Sequence, residues 1–354
     1  MEKRPVRDRG GARERKAKGR LDFFRVFYYN ESKSLRSRKL TGQVLAAWDA
    51  LPGHGKDIKV KNKLLLLVKI VLILALVVGL AFVGMRQYEY HRGAQAYKEA
   101  EAIAGMNQTV RETPAPTPTP DSVPETEAAP TPTPGMSMEQ LQEQLDAMVE
   151  LLVDDEHAAI LESVDLEALR ETNEDVIGWI LIPGADVSFP MVQGDDNAYY
   201  LNRTWNLTYN SVGAIFMECQ NSPDLSDFNT IVYGHNMRNG SMFGQLKKYK
   251  DAQYWRERPY IYILTEEGVY RYDIFAAHEA SVRSIVYGVG EFLPEMKEEY
   301  IRFSLENSSI DTGVIPTAND RMLTLSTCTG NGYATRWVVQ GVLRGIMPLG
   351  NAAE

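Results

Sequence analysis

Residues 322–343 read MLTLSTCTGNGYATRWVVQGVL. Met322–Ser326 and Trp337–Leu343 are runs of Leu, Val, Thr and Trp, side chains that suit a pleated, half-buried surface. Between them TGNGYAT (329–335) is short and carries two glycines, the signature of a connection between two strands. Cys328 closes the first strand and Arg336 opens the second. Working upstream, similar short runs occur at Trp179–Ile182, Val187–Val192, Gly213–Met217, Thr230–Tyr233, Tyr260–Leu264 and Val269–Ala276. Eight short strands over roughly 170 residues predict a mainly β fold, an eight-stranded closed or nearly closed β-barrel. They are expected to be mostly antiparallel, because strands and helices do not alternate regularly. Accessory helices are predicted at Asp165–Thr172, Met242–Tyr249 and Phe292–Leu305. A further helix is read in MEQLQEQLDAMVELL (138–152), where Leu141, Leu145, Met148, Leu151 and Leu152 share a helical period.

Toward the N-terminus, Leu64–Met85 reads LLLLVKIVLILALVVGLAFVGM, with one charge, Lys69, near its start. At about 1.5 Å per residue such a helix covers roughly 30 Å, the thickness of a hydrocarbon core, and Lys69 can reach the headgroups. Residues 1–63 carry a net charge of +11, whereas the whole chain of 354 residues carries -9. Basic residues flanking a span stay on the cytoplasmic side, so residues 64–85 are read as one transmembrane helix with a cytoplasmic N-terminus. The same basic cluster could bind nucleic acid, but beside a span it reads as a topology signal with affinity for anionic lipid, and no nucleic-acid partner is expected.

Four segments follow: a basic cytoplasmic arm (1–63), the span (64–85), a stalk and Pro/Thr-rich linker (86–136), and an extracellular domain (137–354). The linker contains TPAPTPTPDSVPETEAAPTPTPG (113–135), with 8 of the chain's 17 prolines. Such a repeat favours extended polyproline II and cannot build a core, so it reads as a spacer that lifts the domain off the bilayer.

Only two cysteines occur, Cys219 and Cys328, which excludes a disulfide-rich scaffold and a four-cysteine metal site. No H-x-x-x-H pair and no Walker-type phosphate loop is present. No metal or other cofactor is expected. Three strand ends carry the groups that can do chemistry: His235 in NTIVYGHNM (229–237), Cys328 and Arg336. An imidazole can take the proton of a thiol whose ordinary pKa is about 8.5, the thiolate can attack a carbonyl, and a guanidinium can hold the resulting oxyanion. Taken singly, each has a simpler explanation: a buried cysteine, a surface histidine, an edge-solvating arginine.

The contexts, taken in order, resemble the sortases, cysteine transpeptidases of Gram-positive cell surfaces, and class B among them. The resemblance is carried by DVIGWILIPGADVSFPMVQGDDNAYYLN (175–202), GAIFMECQN (213–221), GHNMRNGSMFGQLKKY (234–249), the TLSTC segment and the helix-prone stretch at 290–306. It covers about half the chain. It implies a sortase-type barrel with Cys328 as nucleophile, His235 as general acid and Arg336 as oxyanion holder. It also implies that Asn197, Leu201, Tyr233, Tyr287 and Ser326 line the groove for the substrate. The implied reaction cleaves a C-terminal sorting signal of a surface protein, forms a thioester on Cys328, and passes the protein to an amine of peptidoglycan or of a pilin. Two other functions compete: a non-catalytic, surface-displayed peptide-binding module, and a cell-wall cysteine hydrolase. In papain-like hydrolases the cysteine precedes the histidine, the reverse of the order here. Cys219 stands where relatives often have a tyrosine and reads as a buried bystander; a Cys219–Cys328 disulfide is its rival reading.

Overall fold

The computed structural model describes residues 58–106, 155–330 and 334–349. The expected cytoplasmic arm lies almost wholly outside these residues, and the Pro/Thr-rich segment 113–135, the helix read at 138–152 and residues 331–333 lie entirely outside them. The apolar stretch lies in one helix, α1 (Ile58–Ile103), long and apolar enough to cross a membrane. From Leu65 to Met85 its large hydrophobic side chains are exposed almost throughout.

The compact units of the chain divide at Arg92/Gly93, so the last turns of α1 belong with the barrel. Gly93, Ala96, Tyr97, Ala100 and Ala104 are buried there. Their spacing of three and four residues is a helix face, one made almost entirely of small side chains. A polar stalk is the natural reading of this stretch from sequence, because Gly and Ala add little to a hydropathy pattern. The backbone N–H of Asp165 donates to the Ala104 carbonyl at 3.3 Å. The Pro/Thr-rich segment therefore sits inside the sequence of the barrel unit, flanked on both sides by residues of that unit, and not ahead of it.

Two short helices follow, α2 (Glu156–Glu162) and α3 (Leu166–Thr172). Asp155 caps α2 by accepting from the N–H groups of His157 and Ala158, and Asp165 caps α3 by accepting from that of Ala168. Each cap contributes about 1 kcal/mol. Seven residues are too few for a helix to persist alone, so docking of Leu161 and Leu169, both fully buried, must hold them.

The strands are β1 (Val176–Ile182), β2 (Val187–Val192), β3 (Ile215–Met217), β4 (Asn229–Tyr233), β5 (Tyr260–Leu264), β6 (Gly268–Ser281), β7 (Met322–Cys328) and β8 (Thr335–Pro348). They close a barrel in the order β1-β2-β3-β4-β7-β8-β6-β5. The β2–β3 and β4–β7 pairs are parallel and the remaining neighbours antiparallel. A parallel pair needs a long crossover; between β4 and β7 the chain builds the short helix α4 (Ala252–Arg256), β5, β6 and a longer helix before returning.

All eight expected strands are present, with two instructive differences. The strand expected from Gly213 begins at Ile215, because Gly213 takes a positive φ of 67° that no strand residue adopts. The expected helix at Met242–Tyr249 is of the 3-10 type, spans Phe243–Lys250, and follows Met242, which itself has a positive φ. The predicted helix near 292–305 is α5 (Pro294–Asn307), started by a proline at its first turn.

Candidate active site

The parallel register of β4 and β7 sets Tyr233 opposite Ser326. Continued two residues further, the same offset brings His235 level with Cys328, each just where its strand ends. Three hydrogen bonds stitch these ends together. The Gly234 N–H donates to the Ser326 carbonyl at 3.2 Å, the Thr327 hydroxyl to the Gly234 carbonyl at 2.8 Å, and the Asn236 amide to the Cys328 carbonyl at 2.9 Å. On the other side of β7 the antiparallel register pairs Cys328 with Arg336. The cysteine thus lies between the histidine-bearing turn and the arginine-bearing strand. It is half-buried, whereas Arg336 is 6 % exposed. Lys247 donates to the Thr329 carbonyl and pins the chain just beyond the cysteine.

Arg336 is held locally, with Nη1 donating to the Thr335 carbonyl at 2.9 Å. The His235 ring is held from two sides. Its Nε2 donates to the Leu201 carbonyl at 2.7 Å, which selects the Nε2–H tautomer and leaves Nδ1 to exchange a proton. Gly213 lies against the ring face: a Cβ built on it would stand 2.7 Å from His235 Cδ2 and 2.9 Å from the carbonyl oxygens of Leu201 and Tyr200. Burial pushes the His235 pKa below the ordinary histidine range; the Leu201 carbonyl opposes this shift and the Arg336 charge adds to it. The resting imidazole is therefore mostly neutral near pH 7.

Gly213→Ala is predicted to damage both folding and chemistry. The positive φ costs a non-glycine residue about 1–2 kcal/mol, and overpacking against atoms that cannot yield adds about 1–3 kcal/mol. Displacing the ring lowers activity on the order of a hundredfold. Thermal unfolding and turnover of the same preparation check both effects.

The groove residues expected from the resemblance fall into two clusters. Tyr287, in a 3-10 turn (Ile285–Tyr287), shares a 2.8 Å hydrogen bond with the hydroxyl of Ser326, two residues before the cysteine. Burial drives the Tyr287 phenol up, so it keeps its proton. Asn197 and Tyr233 converge instead on a carboxylate that sequence reading missed. Glu218, 5 % exposed, accepts from Asn197 Nδ2 at 2.7 Å and from the Tyr233 hydroxyl at 3.0 Å. Its position inside GAIFMECQN was the available signal, but an acid beside a strand end does not declare itself. Leu201 meets the site through its backbone, by the carbonyl on His235.

Neither cysteine is in a disulfide, which removes the rival pairing of Cys219 with Cys328. Cys219 is half-buried, not fully buried as expected, with its Sγ 3.4 Å from a Glu218 oxygen.

Behind the site runs a buried polar chain that sequence reading also missed. Asn229 Nδ2 donates to the carbonyls of Val286 and Gly288, on either side of Tyr287, at 3.0 and 3.1 Å. Its Oδ1 accepts from Tyr300 and Thr324, and Gln340 links Tyr300 to His278. With all four of its bonds made, the Asn229 amide fixes the turn that presents Tyr287. His278, like His235, is held below its ordinary pKa by burial. Unfolding restores both histidines to about 6.5, so below that pH the unfolded chain binds more protons and stability falls as pH drops. The thermal midpoint is predicted to be lower at pH 5.5 than at pH 7.5; equal midpoints would contradict the assignment of two buried neutral histidines.

Over its barrel the chain is similar to known proteins. The Sortase domain family matches residues 180–344. Sortase B of Listeria monocytogenes is 35% identical over 183 residues, covering 51% of this chain and 74% of that protein. Sortase B of Staphylococcus aureus is 28% identical over 162 residues, 46% of this chain and 66% of its own length. Among solved structures, Clostridium perfringens sortase B is 30% identical, with a TM-score of 0.48, covering 51% of this chain and 99% of that one.

Proposed function

The chain belongs to the class B sortases and is a sortase-type cysteine transpeptidase, and from that premise we propose that Cys328, His235 and Arg336 are its catalytic residues. The single observation that carries this is the strand register, which brings the three to one end of the barrel with Cys328 in the middle.

In this mechanism His235 takes the thiol proton and the Cys328 thiolate attacks a peptide carbonyl of a sorting signal. The Arg336 guanidinium stabilises the oxyanion. As the C–N bond breaks, the imidazolium returns its proton to the departing amine, leaving a thioester on Cys328. An acceptor amine then attacks the thioester and gives up a proton to the now neutral His235; a new amide forms and the thiolate is released, which restores the starting pair. The substrate is a surface protein with a C-terminal sorting signal, and the acceptor is an amine of peptidoglycan or of a pilin. Tyr287 and Ser326 form the groove wall nearest the cysteine; Asn197, Leu201 and Tyr233, gathered around Glu218 and the histidine, form the other. The apolar part of α1 anchors the chain in the cell membrane as a single pass. The +11 charge of residues 1–63 keeps the N-terminus cytoplasmic and the barrel outside.

The test uses the full chain in detergent micelles with a peptide copied from the sorting signal of a surface protein encoded beside it. A covalent adduct should appear on the Cys328 fragment by mass spectrometry, and an added amine should divert the product from free acid to amide. Free acid alone, whatever the amine concentration, would mark a hydrolase. Binding without an adduct would mark a non-catalytic peptide-binding module.

A further inference from the structure

The last turns of α1 lie directly behind the loop that holds His235. Three of the contacts that join them bear on the histidine. Tyr97, 5 % exposed, donates its hydroxyl to the Gly213 carbonyl at 2.7 Å. Trp205, fully buried, donates its indole N–H to the Ala96 carbonyl at 2.6 Å. The Val212 side chain covers Gly93 so closely that a Cβ there would be 2.7 Å from a Val212 methyl. The Tyr97 ring also meets Phe189 of β2 edge-on, with centroids 5.1 Å apart.

The loop these contacts hold is the one that cradles the histidine. Its Gly213 end touches the ring face and its Leu201 end bonds Nε2, while the Ala214 N–H donates to the Tyr200 carbonyl at 3.0 Å and ties the two ends together. A shift of this loop therefore moves both constraints on the imidazole at once.

We infer that residues 93–104 of α1 are a positioning element of the active site, with the Tyr97 hydroxyl, through Gly213, setting the orientation of the His235 imidazole. The inference rests on the proposed role of His235. Tyr97 touches neither substrate nor reacting atoms; it acts through the glycine. It gives the helix that follows the apolar stretch a part in catalysis, where the sequence reads as a stalk.

The test measures kcat, KM and the thermal midpoint of full-chain variants in detergent micelles, with the sorting-signal peptide above as probe. Tyr97→Phe keeps the ring and removes only the donor; it should lower kcat about tenfold with KM within twofold. Gly93→Ala separates helix stability from helix placement. By propensity alone it stabilises a helix, yet the Val212 contact predicts the same selective fall in kcat. Tyr262→Phe is the control. That buried tyrosine donates to Asp155 at 2.7 Å, so its loss should lower the thermal midpoint and leave kcat unchanged.

If Tyr97→Phe loses thermal stability but turns over like the unmodified chain, Tyr97 is only structural and the inference is overturned. If Tyr262→Phe loses kcat as much as Tyr97→Phe, the effect is general destabilisation and the inference is equally overturned. Cys328→Ala is run beside them. Turnover by that variant would sink the underlying catalytic reading, and the inference with it, a result distinct from an unaffected Tyr97→Phe.

Discussion

Cys328→Ala is expected to lower transpeptidation by more than about 10⁴-fold and to abolish the covalent adduct, while leaving stability within about 1 kcal/mol of the unmodified chain. The two outcomes separate because the residue is half-buried at a strand end, and its backbone carries the structural bond there. The Asn236 amide is received by the Cys328 carbonyl, which alanine retains. In the proposed mechanism the sulfur is the nucleophile, so its removal leaves the imidazole and guanidinium no intermediate to serve. Cys219→Ala is the matched comparison. Its thiol lies against Glu218, and activity should remain within a few-fold. An adduct mapped to the Cys219 fragment instead would reverse the assignment of the two cysteines.

Arg336→Lys is expected to lower kcat by about 10²–10³-fold although the charge is kept. Loss of one oxyanion donor costs about 2.7–4 kcal/mol in transition-state stabilisation. The reason lies in geometry. One guanidinium nitrogen is committed to the Thr335 carbonyl, which orients the planar fork of a buried side chain. An ammonium on a flexible stem cannot make the anchoring bond and hold a second donor in place together. Parallel kinetics of the two proteins with one peptide check this. A lysine variant with unchanged kcat would show that positive charge alone suffices and that the forked donors do not hold the oxyanion.

Much of the barrel was legible one strand at a time. The runs VSFPMV, NTIVY and YIYIL are strand-like by side-chain type alone, and their bounds differ by at most a residue from those found. The longer strands were shortened in reading, because GVYRYDIFAAHEAS and TRWVVQGVLRGIMP carry polar residues and glycines that look like strand ends. They pair with each other along nearly their whole length, and tertiary pairing overrides those local signals. Residues 93–104, read as a polar helix or stalk, are helical through Ile103, but their packing on the barrel was missed for a related reason. A face of Gly and Ala has little apolar area to announce itself, but it lets a helix approach closely, and that close approach is what sets Tyr97 against Gly213.

Sequence alone was enough to identify an apolar helix of bilayer length, a basic segment before it, eight strands, and a cysteine, histidine and arginine each at a strand end, in contexts that resemble one enzyme family. Those properties are local: a residue's type, its neighbours' periodicity and its distance from a turn are all present in a short window. Which strands adjoin was decided only on folding, because backbone N–H and C=O groups are alike in every strand and a hydrogen-bond ladder carries no address. The parallel β4–β7 register that levels His235 with Cys328 therefore belongs to the closed barrel. So do the Glu218 cluster, the Asn229 clamp on Tyr287 and the seat of α1 behind the histidine, since each joins residues that meet only once the chain has packed.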